Sequence, residues 1–306
     1  MRMTGKRIFQ SGSLVAPSMS SYFMFLFGVV MSSTGDDCRN PGAFAVAKAT
    51  IPAYEVLPPR KTIFFKILVK PCSGRPYLVL KRFSQFEDLD KQIKSHLPIA
   101  EVSALPSKRL KFLGQSPEFL EERRILLEYY LTRCLCSHAV KKSTLLLNFL
   151  SSDKCGNMTG EGSSEMLKAL DNDEYQFPDG QEIRQIAIPQ AKIMSDHVLY
   201  QIHCSSTRDP DSQHLHSHWV SLKRFTDFHI MMKNLRQELS VYAPFVLQRL
   251  PIAPPARKSR VLHDHTDPVF VEHRRILLEY YLNKLLRIEQ AASSDVFLRF
   301  CAVPGI

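Results

Sequence analysis

The nine residues RRILLEYYL occur twice, at Arg123–Leu131 and at Arg274–Leu282, 151 positions apart. Chance does not repeat such a string in a chain of 306 residues, so the molecule is an internal duplication. The repeat reaches further. Leu80–Phe86 (LKRFSQF) is echoed by Leu222–Phe228 (LKRFTDF) at an offset of 142, and Phe149 by Phe300 at an offset of 151 again. Nine extra residues therefore lie in the second copy between Phe228 and Phe270, which predicts a lengthened loop there.

The length divides naturally into two domains. We expect an N-terminal tail at 1–45, a first domain at 46–151, a linker at 152–180 and a second domain at 181–306. An apolar content of 44% is enough for each half to bury its own core. Seven scattered cysteines with no CxxC pattern point to reduced thiols rather than a disulfide framework or a zinc site. The apolar run Tyr22–Met31 is too short to span a bilayer and reads as a leader segment.

Each half reads in the same order. In the first, Ala53–Leu57, Ile63–Val69 and Tyr77–Lys81 have strand character, with Pro and Gly between the last two. Phe86, Leu89 and Ile93 then recur at helical spacing, with Ser84 as the expected N-cap. Pro98–Pro106 is a crossing without periodicity. Pro117 opens the duplicated helix, whose inward residues are Phe119, Leu120, Leu127, Tyr130 and Leu131. A short helix over 142–150 closes the unit.

The second half repeats this with strands at Glu182–Ile193, His197–Cys204 and Trp219–Lys223, a Thr-capped helix at Thr226–Val241, and the helix Val269–Arg287. Its crossing, Pro244–Pro268, is the lengthened one. The expected class is α+β: two tandem units, each a three-stranded antiparallel sheet packed on a helical subdomain. Phe86 and Phe228 belong to the cores; Tyr129, Tyr130, Tyr280 and Tyr281 to core and rim packing. Arg124 and Arg275 are expected on the solvated helix face.

The net charge of +10 suits a polyanionic partner. The repeat places Arg82 at a strand end, Arg123 in the first turns of a later helix and Lys108 in the crossing between them, with Phe83 beside Arg82. A guanidinium fork suits phosphate oxygens bidentately, a flat aromatic offers a face to a sugar-like ring, and a lone ammonium meets a second phosphate. His214, His216 and His218 (HLHSH) lack a cysteine partner and read as a hairpin loop, so no metal site is expected. No P-loop, GxSxG, HExxH or dinucleotide fingerprint occurs, so neither catalysis nor a cofactor is expected.

The order KRFSQF, proline-containing crossing, FLEERRILL, and again KRFTDF, crossing, FVEHRRILL, resembles the phox-homology (PX) domain, the phosphoinositide-binding module of sorting nexins. The resemblance implies a three-stranded sheet with a helical subdomain and a non-enzymatic, peripheral membrane protein on the cytosolic face of endosomal or other phosphoinositide-rich membranes. By position, it implies that Arg82 and Arg224 hold the 3-phosphate, Phe83 and Phe225 lie under the inositol ring, Arg123 and Arg274 read the ring hydroxyls, and Lys108 and Lys258 meet the 1-phosphate. Phosphatidylinositol 3-phosphate is the family's commonest ligand. The resemblance also implies bilayer insertion of apolar residues after the crossing: Leu110, Phe112 and Leu113 in the first copy, Val261 and Leu262 in the second. Lys81 and Lys223 stand where the family has a further Arg, and Phe replaces its Tyr. Phosphoinositide head groups are thus the expected partners, with protein partners besides and no nucleic acid. The alternative is a protein-interaction scaffold of the same fold that uses Pro251–Pro255 as a short polyproline ligand.

Overall fold

The computed structural model describes residues 45–58, 62–97, 105–106, 116–151, 182–206, 217–254 and 266–302. The first unit runs β1 (Val46–Leu57), β2 (Thr62–Pro71), β3 (Tyr77–Lys81), α1 (Phe83–His96), α2 (Pro117–Cys136), α3 (His138–Lys141) and α4 (Thr144–Leu150). The second runs β4 (Gln185–Ile193), β5 (Val198–Ser206), β6 (Ser217–Arg224), α5 (Phe225–Tyr242), a 3₁₀ turn (Pro244–Arg249), α6 (Pro268–Leu286), α7 (Glu289–Ala292) and α8 (Asp295–Phe300). Each sheet is a three-stranded antiparallel meander, β1-β2-β3 and β4-β5-β6. The α+β class is the one the duplicated pattern predicts. Residues 1–44 of the expected tail, Tyr22–Met31 among them, and the expected linker lie outside the described residues.

Each unit has a core of its own. In the first, Ile51, Phe65, Ile67, Phe86, Leu127 and Tyr130 are sealed between sheet and helices. In the second, Ile188, Tyr200, Ile202, Phe228, Leu278 and Tyr281 take the same places. The repeat extends to ring geometry: Phe86 meets Phe149 edge-on at 5.0 Å, and Phe228 meets Phe300 edge-on at 4.9 Å.

Three of the boundaries that differ from the sequence expectation bear on the site. β1 begins at Val46, not Ala53, because it bends through a bulge that breaks its alternation. Helices α1 and α5 start at Phe83 and Phe225, capped by Arg82 and Arg224 rather than by Ser84 and Thr226. No loop separates strand from helix there, so the strand-end arginine is itself the last extended residue. Its backbone N–H is taken by the side chain of the third helical residue: Gln85 at 2.8 Å in the first unit, Asp227 at 2.7 Å in the second.

The bulges tie the fold together. Pairing skips Ile51-Pro52 in β1 and Ile188-Pro189 in β4. Proline has no N–H to lose from a ladder, which suits it to this position. The neighbouring isoleucines do have backbone groups to satisfy, and they are buried. In the first unit the Ile51 N–H donates to Glu128 Oε2 at 2.7 Å, and Arg124 Nη1 donates to the Ile51 carbonyl. In the second the Ile188 N–H donates to Glu279 Oε2 at 2.7 Å, and Arg275 Nη1 donates to the Ile188 carbonyl. One Arg–Glu pair, four residues apart on each long helix, thus completes the sheet.

This overturns the expectation that Arg124 and Arg275 are solvated. They are 4% and 2% exposed, and each joins the two units. Arg124 Nη2 donates to the Tyr280 hydroxyl at 2.7 Å, and Arg275 Nη2 donates to the Tyr129 hydroxyl at 3.0 Å. Between these bonds, Ile125 and Leu126 pack on Ile276 and Leu277. The contact is self-complementary, each element meeting its own duplicate as in a two-fold dimer. Tyr129 and Tyr280 are therefore interface residues, whereas Tyr130 and Tyr281 are core.

Charge balance is local. Arg124 is bound at 2.7 Å by Glu121 and Arg275 at 2.8 Å by Glu272. Burial pulls the pKa of each guanidinium down, but the carboxylates outweigh it and hold both firmly charged. Burial pushes the Glu279 carboxyl up to about 7, with Arg275 and the Ile188 amide opposing it.

Removing one partner of a buried ion pair strands the other charge, at a cost of about 3–5 kcal/mol. Arg275→Met is expected to lower urea-unfolding stability by that amount. Arg124→Met should cost less, because the Glu128 side chain is 28% exposed where that of Glu279 is 6%.

Candidate functional site

The strand–helix junction and the start of the long helix meet in each unit. Arg82 has extended backbone (φ −88°, ψ 158°) and an exposed side chain. Phe83, the first residue of α1, turns toward α2. There Ser116 caps the helix by accepting from the Phe119 N–H at 3.3 Å, and Pro117 occupies the first turn. This sets Phe119 and Arg123, four residues apart, one above the other.

The Arg123 guanidinium lies between two rings, 4.1 Å from the centre of Phe83 and 4.5 Å from that of Phe119. The second unit reproduces the sandwich: Arg274 sits 4.0 Å from Phe225 and 4.3 Å from Phe270. Helix α6 is placed by the Asp267 cap, which accepts from the Val269 N–H at 3.0 Å. Arg224 repeats the backbone of Arg82 (φ −82°, ψ 159°) and its exposure.

The structure therefore brings Arg123 onto Phe83 and Arg274 onto Phe225, and Arg82 and Arg224 are the exposed residues that precede those rings in the chain. A planar cation clasped between two rings is attracted to both faces and held in one orientation. The edge of such a cation carries forked donors, whose geometry matches a phosphate or vicinal hydroxyls. The second ring, Phe119 or Phe270, was not among the expected site residues. Its signal was present in FLEER and FVEHR, where a phenylalanine precedes the arginine by one helical turn.

Lys81 and Lys223 lie outside this grouping. Their ammonium groups rest over the core rings, 5.0 Å from Phe149 and 5.3 Å from Phe300. Lys108, Lys258 and the expected insertion residues Leu110, Phe112, Leu113, Val261 and Leu262 are outside the described residues. On the described parts of the crossings, Leu105 packs on the first core and Pro106 is buried. Pro254 is also buried, and Ala253 packs on the second core, so part of the Pro251–Pro255 stretch is turned inward.

The two sites are not equal. Arg82 has the ring of Phe64 beneath it at 5.9 Å. Strand register gives Leu199 that place in the second unit, opposite Arg224. Arg274 is 8% exposed, more enclosed than Arg123, which is only partly buried. The Tyr200 phenol lies against Arg274: burial raises its pKa, and the guanidinium opposes that rise. His229 adds an imidazole at 4.6 Å from Phe225, its pKa lowered by burial and then by Arg274. Asp196, hydrogen-bonded to His197 at 2.6 Å, is near enough to Arg224 for that charge to help hold its carboxyl low. Its negative charge weakly opposes an anion at Arg224 across solvent.

His218 belongs to β6, not to a loop, and its ring stacks edge-on with buried His203 at 5.1 Å; His214 and His216 are outside the described residues. Among the described residues no cluster of His, Cys, Asp and Glu is arranged to hold a metal, and no helix is long and apolar enough to cross a membrane.

The asymmetry is testable with a small anion. In an Arg82→Ala background, Asp196→Asn should raise the affinity for inositol 1,3-bisphosphate about twofold, the size of a screened exposed charge. Isothermal titration reads it.

Comparison with known proteins finds one family in both halves of the chain. The family description "PX domain" matches two segments, residues 72–153 and 211–303. Sorting nexin-16 of Mus musculus is 31% identical over 105 residues, which cover 34% of this chain and 30% of that protein. A probable serine/threonine-protein kinase of Dictyostelium discoideum is 26% identical over 149 residues, 49% of this chain but 7% of the kinase. The chain thus spans less than a third of the length of either relative. Among solved structures, a designed CISK-PX domain is 29% identical, with TM-score 0.32, covering 34% of this chain and 99% of that one. The mouse SNX19 PX domain with bound sulphate ion is 17% identical, with TM-score 0.28, covering 40% and 97%. With a match to more than half of its residues, split across its two halves, the chain belongs to the PX domain family.

Proposed function

We propose that the chain is a non-enzymatic phosphoinositide-binding protein that docks on the cytosolic face of endosomal-type membranes through its two PX units. One observation supports this most: in each unit a helix guanidinium is clasped by the aromatic that follows an exposed strand-end arginine. That arrangement offers two forked cations and one ring edge to a single ligand, which fits a phosphorylated inositol. Phosphatidylinositol 3-phosphate is the head group we assign. Arg82 and Arg224 take the 3-phosphate, Arg123 and Arg274 the ring hydroxyls, Phe83 and Phe225 the ring, and Lys108 and Lys258 the 1-phosphate.

In this reading the first unit is the stronger site. Its helix arginine is the more accessible, and no carboxylate corresponding to Asp196 is present in its β1–β2 connection, where the sequence has Arg60 and Lys61. Leu110, Phe112 and Leu113, set among Lys108, Arg109 and Lys111, would anchor it in the bilayer; Val261 and Leu262 would do so for the second unit. The scaffold alternative is weakened by the inward turn of Ala253 and Pro254, which leaves less of the proline stretch for a partner.

Pelleting with vesicles containing phosphatidylinositol 3-phosphate tests the proposal. Arg82→Ala should weaken binding about tenfold, Arg224→Ala less, and the double variant should fall to the level seen with unphosphorylated phosphatidylinositol. A double variant that pellets like wild type refutes it.

A further inference from the structure

The contact between the units carries a consequence for how two ligands are met. Its bonds run in reverse order along the two helices: Arg124 of α2 with Tyr280 of α6, and Tyr129 of α2 with Arg275 of α6. Helices paired in that order run in opposite directions, related by an approximate two-fold axis perpendicular to both. With 3.6 residues per turn, Ile125, Leu126 and Tyr129 define the contact face, and Arg123 sits roughly 110° round from it. A side chain at about a right angle to the contact face points along the axis. Rotation about an axis does not change a direction along it, so Arg274 points the same way as Arg123.

We infer that the interface is a clamp that presents both head-group sites on one side of the molecule, so that a single chain grips two phosphoinositides of one membrane together. The inference rests on the phosphoinositide reading of the sites. It adds that the weaker second site works because it is held beside the first. Each unit closes its own core without the interface, and Ile125, Leu126, Ile276 and Leu277 form a separate small cluster. The clamp can therefore be opened without emptying either core. Once opened, the second site is only tethered, and its effective concentration near the membrane falls.

The test uses the full chain. Leu126→Asp with Leu277→Asp places two like charges in the clamp; Tyr129→Phe with Tyr280→Phe removes its two hydroxyl acceptors and is the milder variant. Binding is measured to a soluble short-chain phosphatidylinositol 3-phosphate and to vesicles carrying the lipid at low density, with vesicle clustering followed by light scattering. The clamp predicts soluble-lipid binding within about twofold of wild type for both variants, and vesicle binding about tenfold weaker for the Asp pair, with a smaller loss for the Phe pair. It also predicts that wild type does not cluster vesicles, since both sites face one bilayer. Clustering by wild type, or vesicle binding unchanged in the Asp pair while soluble binding is retained, overturns the clamp and leaves the lipid reading standing. No soluble-lipid binding by wild type overturns the lipid reading, and the clamp's role falls with it. Should the Asp pair not fold, the Phe pair and the wild-type clustering assay still decide.

Discussion

A buried guanidinium on each long helix is the interaction on which the rest of the structure depends. Arg124 and Arg275 each satisfy the carbonyl of a bulged isoleucine, each share the carboxylate that takes that isoleucine's N–H, and each reach a tyrosine of the other unit. Burying a charge costs several kcal/mol unless its hydrogen bonds are filled, and here they are. Arginine is required, because only a planar fork reaches a carbonyl, carboxylates on both sides and a hydroxyl at once. The bulge aims β1 and β4, the helix follows, and the two units are bound to each other through the same group.

Adjacent arginines thus divide the work. Arg123 and Arg124 are one residue, and about 100°, apart on the same helix. The first is laid between two phenylalanines at the candidate site; the second is locked in the frame. The lock matters for the site. A guanidinium pre-placed between rings loses little rotamer freedom when a ligand arrives, so more of its hydrogen-bond energy appears as affinity. The frame that fixes Arg124 also fixes the helix from which Arg123 projects.

Much of this was legible in the residues. The duplicated RRILLEYYL, the KRF strand ends and the phenylalanines at 86 and 228 carried the fold class, the two cores and the meeting of each strand–helix junction with its long helix. What was not legible depended on the other half of the chain. A second arginine in an Arg-Arg pair on a helix looks solvated when its only visible partners are glutamates one turn away. Its burial follows from a strand bulge and a tyrosine more than seventy and more than a hundred residues distant. The repeated Ile-Pro at 51–52 and 188–189 was a usable sign of the bulge, since proline inside a strand marks a break in its ladder. The helix starts shifted because a strand running directly into a helix needs no serine or threonine cap. Gln85 and Asp227, three residues on, do that service from inside.

The division of labour between neighbouring arginines can be observed one guanidinium at a time. In an NMR titration of the side-chain Nε–Hε signals with soluble short-chain phosphatidylinositol 3-phosphate, the account predicts movement of Arg82 and Arg123 at low ligand, then of Arg224 and Arg274, while Arg124 and Arg275 stay in place. Signals of Arg82 and Arg123 that remain still at saturating ligand, or a response centred on Arg124 and Arg275, would contradict it.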